Sequence, residues 1–195
     1  MNATQWIEIL NANKFMLTDE EAMSFDYALA ELAVHPNREY LPALYLVLDD
    51  RCEQHEVMYG LIHFLESFEL KDQLQAFIDA IDRTIVNAKE WTMIILYGII
   101  NQDLSRNLYS EMLRSTHSQN RDLCTNLLQE IAANESPPLS SRAESIISGA
   151  TAIDINIDEI QSDISSFLKH IQEGNILVLL QDDRPIAEIK PIKLG

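Results

Sequence analysis

Apolar residues recur at helical spacing from residue 4 to about residue 148, with short polar breaks and no run of strict alternation. The second predicted helix has the clearest start. Its residues Thr18-Asp19-Glu20-Glu21 form a capping box, in which Thr18 accepts from the amide three residues on and Glu21 reaches back. A further helix is predicted around Tyr40 to Leu48, and others at about 54–68, 71–86, 90–100, 103–116, 118–133 and 139–147.

Helices of this length with short connections pack antiparallel to their neighbours. The pattern therefore predicts a mostly α-helical protein, built either as a HEAT-like stack of antiparallel helical hairpins or as a closed bundle. No sequence repeat of fixed period separates the two arrangements.

The pattern changes after Gly149. Ile153, Ile155 and Ile157 alternate with polar residues and predict a short strand, and residues 158–173 return to helical spacing. Residues 176–180 and 185–189 read as the two arms of a hairpin around the turn at 181–184. We therefore expect an all-helical domain at 1–148 and a small α+β module of strand, helix and hairpin at 149–195.

The charge of the chain is strongly negative. Thirty-one acidic and 14 basic residues give a formal charge of -17. Residues 1–148 hold 23 acidic and 10 basic residues, or -13, and the rest hold 8 and 4, or -4. Such a field repels nucleic acids and anionic membranes and attracts basic proteins, a basic nuclease being one class that fits. The alternative is that the acidic surface serves solubility alone.

The remaining composition indicates a cytoplasmic protein without catalytic chemistry. No apolar run is long enough for a membrane span, and the N-terminus lacks the features of a signal peptide. Cys52 and Cys124 are expected to be buried, reduced thiols. His55 and His63 are eight residues apart, too far to share one zinc ion as in a His-x-x-x-His helix. No Gly-rich phosphate loop or nucleophile motif is present, so we expect no enzyme activity, cofactor or metal.

Three segments resemble the bacterial immunity protein 30 family. They are the capping box at 18–21 with FDYAL at 25–29, EVMYGLIHFLESF at 56–68, and 91–106, which ends in IINQDLSR. The resemblance covers residues 6–133. It implies a cytosolic antidote that neutralises a cognate polymorphic toxin by binding it. A helical-repeat scaffold or adaptor without inhibitory activity is the alternative.

The tail resembles the N-terminal module of Phd/YefM-type antitoxins through IQEGNILVLLQDDRPIAEI at 171–189. That resemblance implies a homodimer. Operator binding is disfavoured, because the turn holds Asp182 and Asp183 and only Arg184 is cationic. The module could instead pack on its own helical domain.

Two sets of candidate residues follow. Acidic, aromatic and histidine side chains near helix starts are candidates for toxin binding, although carboxylates there also compensate helix dipoles. Apolar residues of the hairpin are candidates for dimerisation, with Leu177 and Leu179 expected to face the second copy and Phe167, Leu168 and Ile171 to lie beneath the sheet. The toxin-binding candidates are Asp19, Glu20, Asp49, Asp50, Glu53, Glu56, Tyr59 and His63, and the dimerisation candidates are Ile176, Leu177, Val178, Leu179, Leu180, Ile186 and Ile189.

Overall fold

The computed structural model describes residues 2–173 and 175–192. Within them the predicted fold class is confirmed, since the chain is mostly helical and ends in a small α+β module. The helices are α1 (Ala3–Ala12), α2 (Asp19–Val34), α3 (Leu41–Tyr45), α4 (His55–Glu66), α5 (Leu70–Asn87), α6 (Lys89–Asn101), α7 (Asp103–Ser115), α8 (Ser118–Asn134), α9 (Leu139–Ala150), α10 (Ile157–Ser162) and α11 (Ile164–Gln172), and the strands are β1 (Ile153–Asn156), β2 (Leu177–Gln181) and β3 (Arg184–Ile189).

Polar side chains set the starts of several helices. The hydroxyl of Thr18 accepts from the backbone N–H of Glu21 at 3.2 Å, as predicted. The Glu21 carboxylate, however, accepts from the N–H of Leu17 at 2.8 Å and does not return to Thr18. The second bond of the capping box therefore uses the N–H of Leu17 and not that of Thr18, one residue later. Both bonds still satisfy backbone donors at the helix start.

Two predicted helices are broken in the structure. The segment around Tyr40 to Leu48 forms a 3-10 turn at Arg38–Tyr40 followed by the short helix α3. The tail helix is divided by Asp163, whose backbone is not helical and whose side chain accepts from the N–H of Ser166 at 3.0 Å. Asp163 therefore caps α11 and ends α10, because an Asp side chain competes for the backbone donors that a continuing helix would use.

Helix α5 lies at the centre of the helical part. It packs against α3, α4, α6, α7 and α8, and its inner face is apolar. Fully buried aromatic rings meet there, with Tyr45 and Tyr109 on either side of Phe77. Burial raises the pKa of the Cys124 thiol to about 11, so Cys124 is a protonated core residue at neutral pH. None of the described helices is long and apolar enough to cross a membrane.

The C-terminal module is a three-stranded sheet with the order β1-β2-β3. Strand β1 is parallel to β2, and β2 is antiparallel to β3. Asp182 and Asp183 both have positive φ, as a tight hairpin turn with the twist of its strands requires. The side chains of Arg114 on α7 and Asp154 on β1 lie 3.5 Å apart, so an ion pair joins the module to the helical part.

Candidate protein-binding surface

The starts of α2 and α4 lie at the same end of the helical part. The backbone N–H of Glu53, just before α4, donates to the carbonyl oxygen of Phe15, just before α2, at 2.9 Å. The two helices also pack against each other. The predicted binding residues exposed at this end are the carboxylates of Asp19, Glu20, Glu53 and Glu56.

Asp49 does not belong to this exposed set. Its side chain is fully buried, and its oxygens lie 2.8 Å from Arg51 and 3.0 Å from Lys14. The Arg51 guanidinium also lies over the Phe15 ring, 4.5 Å from the centroid. The hydrogen bonds from Arg51, with Lys14 beside them, hold the pKa of Asp49 well below its usual range. Because the carboxylate is enclosed by the chain's own cations, Asp49 ties two loops together and is not open to a partner.

Asp50 also has an internal partner. Its carboxylate accepts from the backbone N–H of Glu90 at 3.0 and 3.1 Å and from that of Trp91 at 3.3 Å. Helix α6 follows Ala88, which has no side-chain acceptor, so Asp50 caps that helix from a distant loop. This half-buried carboxylate is used in the fold, in contrast to the exposed group that the sequence suggested.

Aromatic and histidine side chains are exposed along one side of α4. Tyr59 is 41% exposed and rests edge-on against buried Trp91, with ring centroids 5.1 Å apart. The centroid of the His55 ring lies 5.4 Å from that of the same Trp91 indole. One turn beyond Tyr59, His63 is exposed, and its Nδ1 atom lies 3.3 Å from the Glu66 carboxylate. We call the exposed side chains His55, Glu56, Tyr59, His63 and Glu66 the α4 surface.

The α4 surface has the chemistry of a protein-binding site. It contains two carboxylates and no Lys or Arg, because α4 itself has neither. Its tyrosine is held by an indole from another helix, so little side-chain freedom remains to be lost on binding. The pairing of Tyr59 with Trp91 was not predicted, because apolar spacing along one helix does not specify contacts with a second helix. No group of three His, Cys, Asp or Glu among the described residues could hold a metal ion.

The predicted dimerisation residues divide by burial. Leu177 and Val178 are buried within one chain, at 0% and 7% exposure, whereas Ile186 is 52% exposed. The expectation that Leu177 faces a second copy is therefore wrong. Strand β2 is paired along both edges, and because Leu177 and Val178 point to opposite faces and are both buried, both faces of β2 are covered at its start. The others are half-buried, namely Ile176, Leu179, Leu180 and Ile189.

Helix α11 leaves its apolar side only partly covered. Ile164 and Leu168 are 61% and 48% exposed, and Phe167 and Ile171 are half-buried. Leu168 is exposed and does not lie beneath the sheet, and the placement of Phe167 and Ile171 there stays a prediction.

A groove of about 1270 Å³ separates the module from α7 and α9. Hydroxyl groups of Ser141, Ser145 and Ser148 line one wall, and Glu188 and Lys190 line the other. The residues that line the groove belong to α7, α9 and the C-terminal module, and none of them belongs to the α4 surface. The module and the helical part are therefore not closely packed along this groove.

An exposed aromatic side chain bordered by charged groups is typical of protein-binding surfaces. The family model of Immunity protein 30 matches residues 11–109, which is just over half of the chain, and the chain belongs to this family. The match includes α2, the Asp49 loop, the α4 surface and Trp91. No curated protein and no solved structure matches the chain. The Phd/YefM resemblance of the module stays a prediction.

Proposed function

We propose that this protein neutralises a cognate bacterial toxin by binding it directly, and that the α4 surface is part of the contact. Membership of an immunity protein family supports a toxin as the partner. The exposed Tyr59 on its buried Trp91 support is the observation that carries the choice of surface. Neutralisation then consists of covering the toxin's active site or a neighbouring surface that its substrate needs, and it assigns no catalytic step to this chain.

The charges favour a basic toxin. Glu56 and Glu66 are exposed on α4, which has no Lys or Arg, Glu53 is exposed just before it, and residues 1–148 carry 23 acidic against 10 basic residues. Opposite charges at the rim of an interface accelerate association and align the partners, while the aromatic centre supplies affinity. A nuclease that holds nucleic acid in a basic cleft has this complementarity. Such an antidote would act in the cytoplasm, where a nuclease reaches its substrate.

Co-expression with the toxin encoded by the adjacent reading frame tests the proposal. We expect the two proteins to co-purify and the toxin to lose activity in the complex. Tyr59→Ala should weaken binding by about tenfold or more, as truncation of an interface anchor does. Val86→Ala is the matched control, because Val86 is an exposed apolar residue of α5 at 73% exposure.

Three outcomes are informative. Equal losses in the Tyr59→Ala and Val86→Ala variants would remove the α4 surface from the contact. Absence of any complex would reject toxin binding itself. A complex that leaves the toxin fully active would favour the adaptor function over the antidote.

We also infer that the module joins two copies of the chain. The exposed apolar side chains Ile164, Leu168 and Ile186 support this arrangement, as does the outer edge of β3.

A further inference from the structure

Helix α2 is apolar on two opposite sides. Its buried side carries Phe25, Ala28, Leu29 and Leu32, which enter the core. At about 100° per residue, Met23, Tyr27, Ala30 and Val34 lie about 180° from that side. Their spacing of four, three and four residues is the one by which a helix presents a continuous seam to a second helix. We call Met23, Tyr27, Ala30 and Val34 the α2 stripe.

The α2 stripe is open to solvent. Met23, Tyr27 and Val34 are 72%, 60% and 63% exposed, and Ala30 is exposed between them. The stripe runs for three turns, about 16 Å. Trp6 of α1 borders it, with its ring edge-on to that of Tyr27 and the ring centroids 5.7 Å apart. Single exposed apolar residues are common on protein surfaces, but a connected row of this length marks an interaction site.

Carboxylates border the stripe on both sides. Asp19 and Asp26 lie along one side, and Glu20 and Glu31 lie along the other. The only Lys or Arg before Arg38 in the sequence is Lys14, whose ammonium is paired with buried Asp49. An apolar row between two acidic rows is complementary to an amphipathic helix whose apolar face is bordered by Lys or Arg.

We propose that the α2 stripe binds a basic amphipathic helix of a partner protein. Where the partner is the toxin, this proposal rests on the proposed function. The α2 stripe would then be a second contact, separate from the α4 surface. A second copy of this chain fits poorly, because pairing two stripes would bring Asp19, Glu20, Asp26 and Glu31 of one copy against the same carboxylates of the other. Anionic lipid is repelled for the same reason.

A synthetic helical peptide of about five turns tests the stripe without the toxin. One version carries Leu and Ala on its apolar face with Lys on both borders, and its companion has the same apolar face with Glu on the borders. Fluorescence anisotropy of the labelled peptides with the full chain should give an affinity about tenfold or more higher for the Lys peptide. Equal affinities, or no binding of either peptide, would overturn the proposal.

Substitutions locate the peptide on the stripe. Met23→Glu and Tyr27→Glu should each lower the affinity for the Lys peptide by about tenfold or more. Leu104→Glu is the matched control, because Leu104 is 73% exposed and Met23 is 72% exposed. Equal losses in all three variants would overturn the assignment to α2, and circular dichroism confirms that each variant remains folded.

Titration with the toxin separates this inference from the proposed function. Weaker binding of the toxin to Tyr27→Glu supports the α2 stripe as its docking site. Unchanged binding to Tyr27→Glu together with a loss in Tyr59→Ala would reject the toxin as the partner of the α2 stripe and leave the antidote function standing. Selective binding of the Lys peptide with no binding of the toxin would support the stripe and reject the toxin as its partner.

Discussion

The Nζ atom of Lys14 lies 3.0 Å from a carboxylate oxygen of Asp49, whose side chain is fully buried. Arg51 donates two further hydrogen bonds of 2.8 Å to the same carboxylate. Asp49 therefore joins the end of α1 to the loop before α4, next to the backbone bond between Glu53 and Phe15. These contacts of Asp49 help to fix the position of the α4 surface relative to α2.

Asp49→Asn should destabilise the protein by about 2 kcal/mol. Removing one partner of a buried ion pair costs about 3–5 kcal/mol, and the solvent-exposed side of Arg51 reduces the loss here. Urea unfolding at neutral pH measures the change. Asp103→Asn is the control, since Asp103 pairs with Arg106 but its side chain is 83% exposed, and its substitution should have a much smaller effect.

The stability of the protein should also fall in acid because of Asp49. Its pKa is lower in the folded chain than the usual 3.8, because the hydrogen bonds from Arg51 and Lys14 favour the charged form. The contribution is therefore present above about pH 4 and is lost as the pH falls toward the folded pKa. The difference in unfolding free energy between wild type and Asp49→Asn should shrink over that range. A difference that stays constant down to about pH 2 would contradict this role.

Gly149 and Ser110 allow α9 and α7 to approach closely. A Cβ atom on Gly149 would lie 2.2 Å from the Ser110 hydroxyl oxygen, which itself donates to the carbonyl of Ile146 at 3.1 Å. We expect Gly149→Ala to displace Ser110 and break that hydrogen bond, at a cost of about 1 kcal/mol. In a Ser110→Ala background the clash with the hydroxyl is absent, so the same substitution should be favourable by helix propensity, by about 0.5–1 kcal/mol.

A double-mutant cycle by urea unfolding measures this coupling. The effect of Gly149→Ala in the wild-type chain should differ by about 1 kcal/mol or more from its effect in the Ser110→Ala background. Additive effects would mean that the two helices do not approach as closely as the structure describes.

The periodicity of the sequence was sufficient for the long helices. The segments predicted at 54–68 and 103–116 are α4 and α7 within two residues at each end, because several turns of apolar spacing define each of them. The roles of Asp49 and Asp50 could not be predicted in the same way. Arg51 is a local partner of Asp49, but Lys14 and the amide of Glu90 are distant in sequence and are brought near only by packing.

The same limit applies to the module. Its strands were predicted from local sequence pattern, but such a pattern does not show which parts of the chain cover each face of β2, and the burial of Leu177 depends on that packing. The exposed apolar side of α2 was not predicted either, because its exposure depends on which other helices cover each side of α2. The choice between a HEAT-like stack and a closed bundle stays a prediction.

Association with the toxin should slow as salt is added. The acidic groups Asp19, Glu20, Glu53 and Glu56 are exposed at one end of the helical part, and ions screen their attraction beyond a Debye length of about 8 Å at physiological strength. We expect the association rate constant to fall by about tenfold between about 50 mM and about 500 mM salt, with a smaller change in dissociation. Surface plasmon resonance at several salt concentrations measures both.

The charge effect should be local to the binding end. The double variant Glu53→Gln/Glu56→Gln should associate more slowly at low salt and show a weaker salt dependence. Asp182→Asn/Asp183→Asn removes the same number of charges from the hairpin turn and should leave association nearly unchanged. Equal effects of the two double variants would attribute the salt dependence to net charge and not to the surface near α4.

The last prediction is that the module, residues 149–195, makes the protein a homodimer. It has little interior of its own, and it leaves apolar side chains of α11 and β3 in solvent. Leu177 is already buried within one chain, so the exposed apolar side chains available to a second copy include Ile164, Leu168 and Ile186. Light scattering should give a dimer for the full chain and a monomer for a chain that ends at Gly149.

Point substitutions separate dimerisation from the folding of the truncated chain. Leu168→Asp and Ile186→Asp should each place a charge in the contact and raise the dimer dissociation constant by about tenfold or more. Val86→Asp is the matched control, since it adds the same charge at an exposed apolar position of α5. A monomer for the wild-type chain at all concentrations would show that the module packs only on its own helical part, through the contact that joins Arg114 to Asp154.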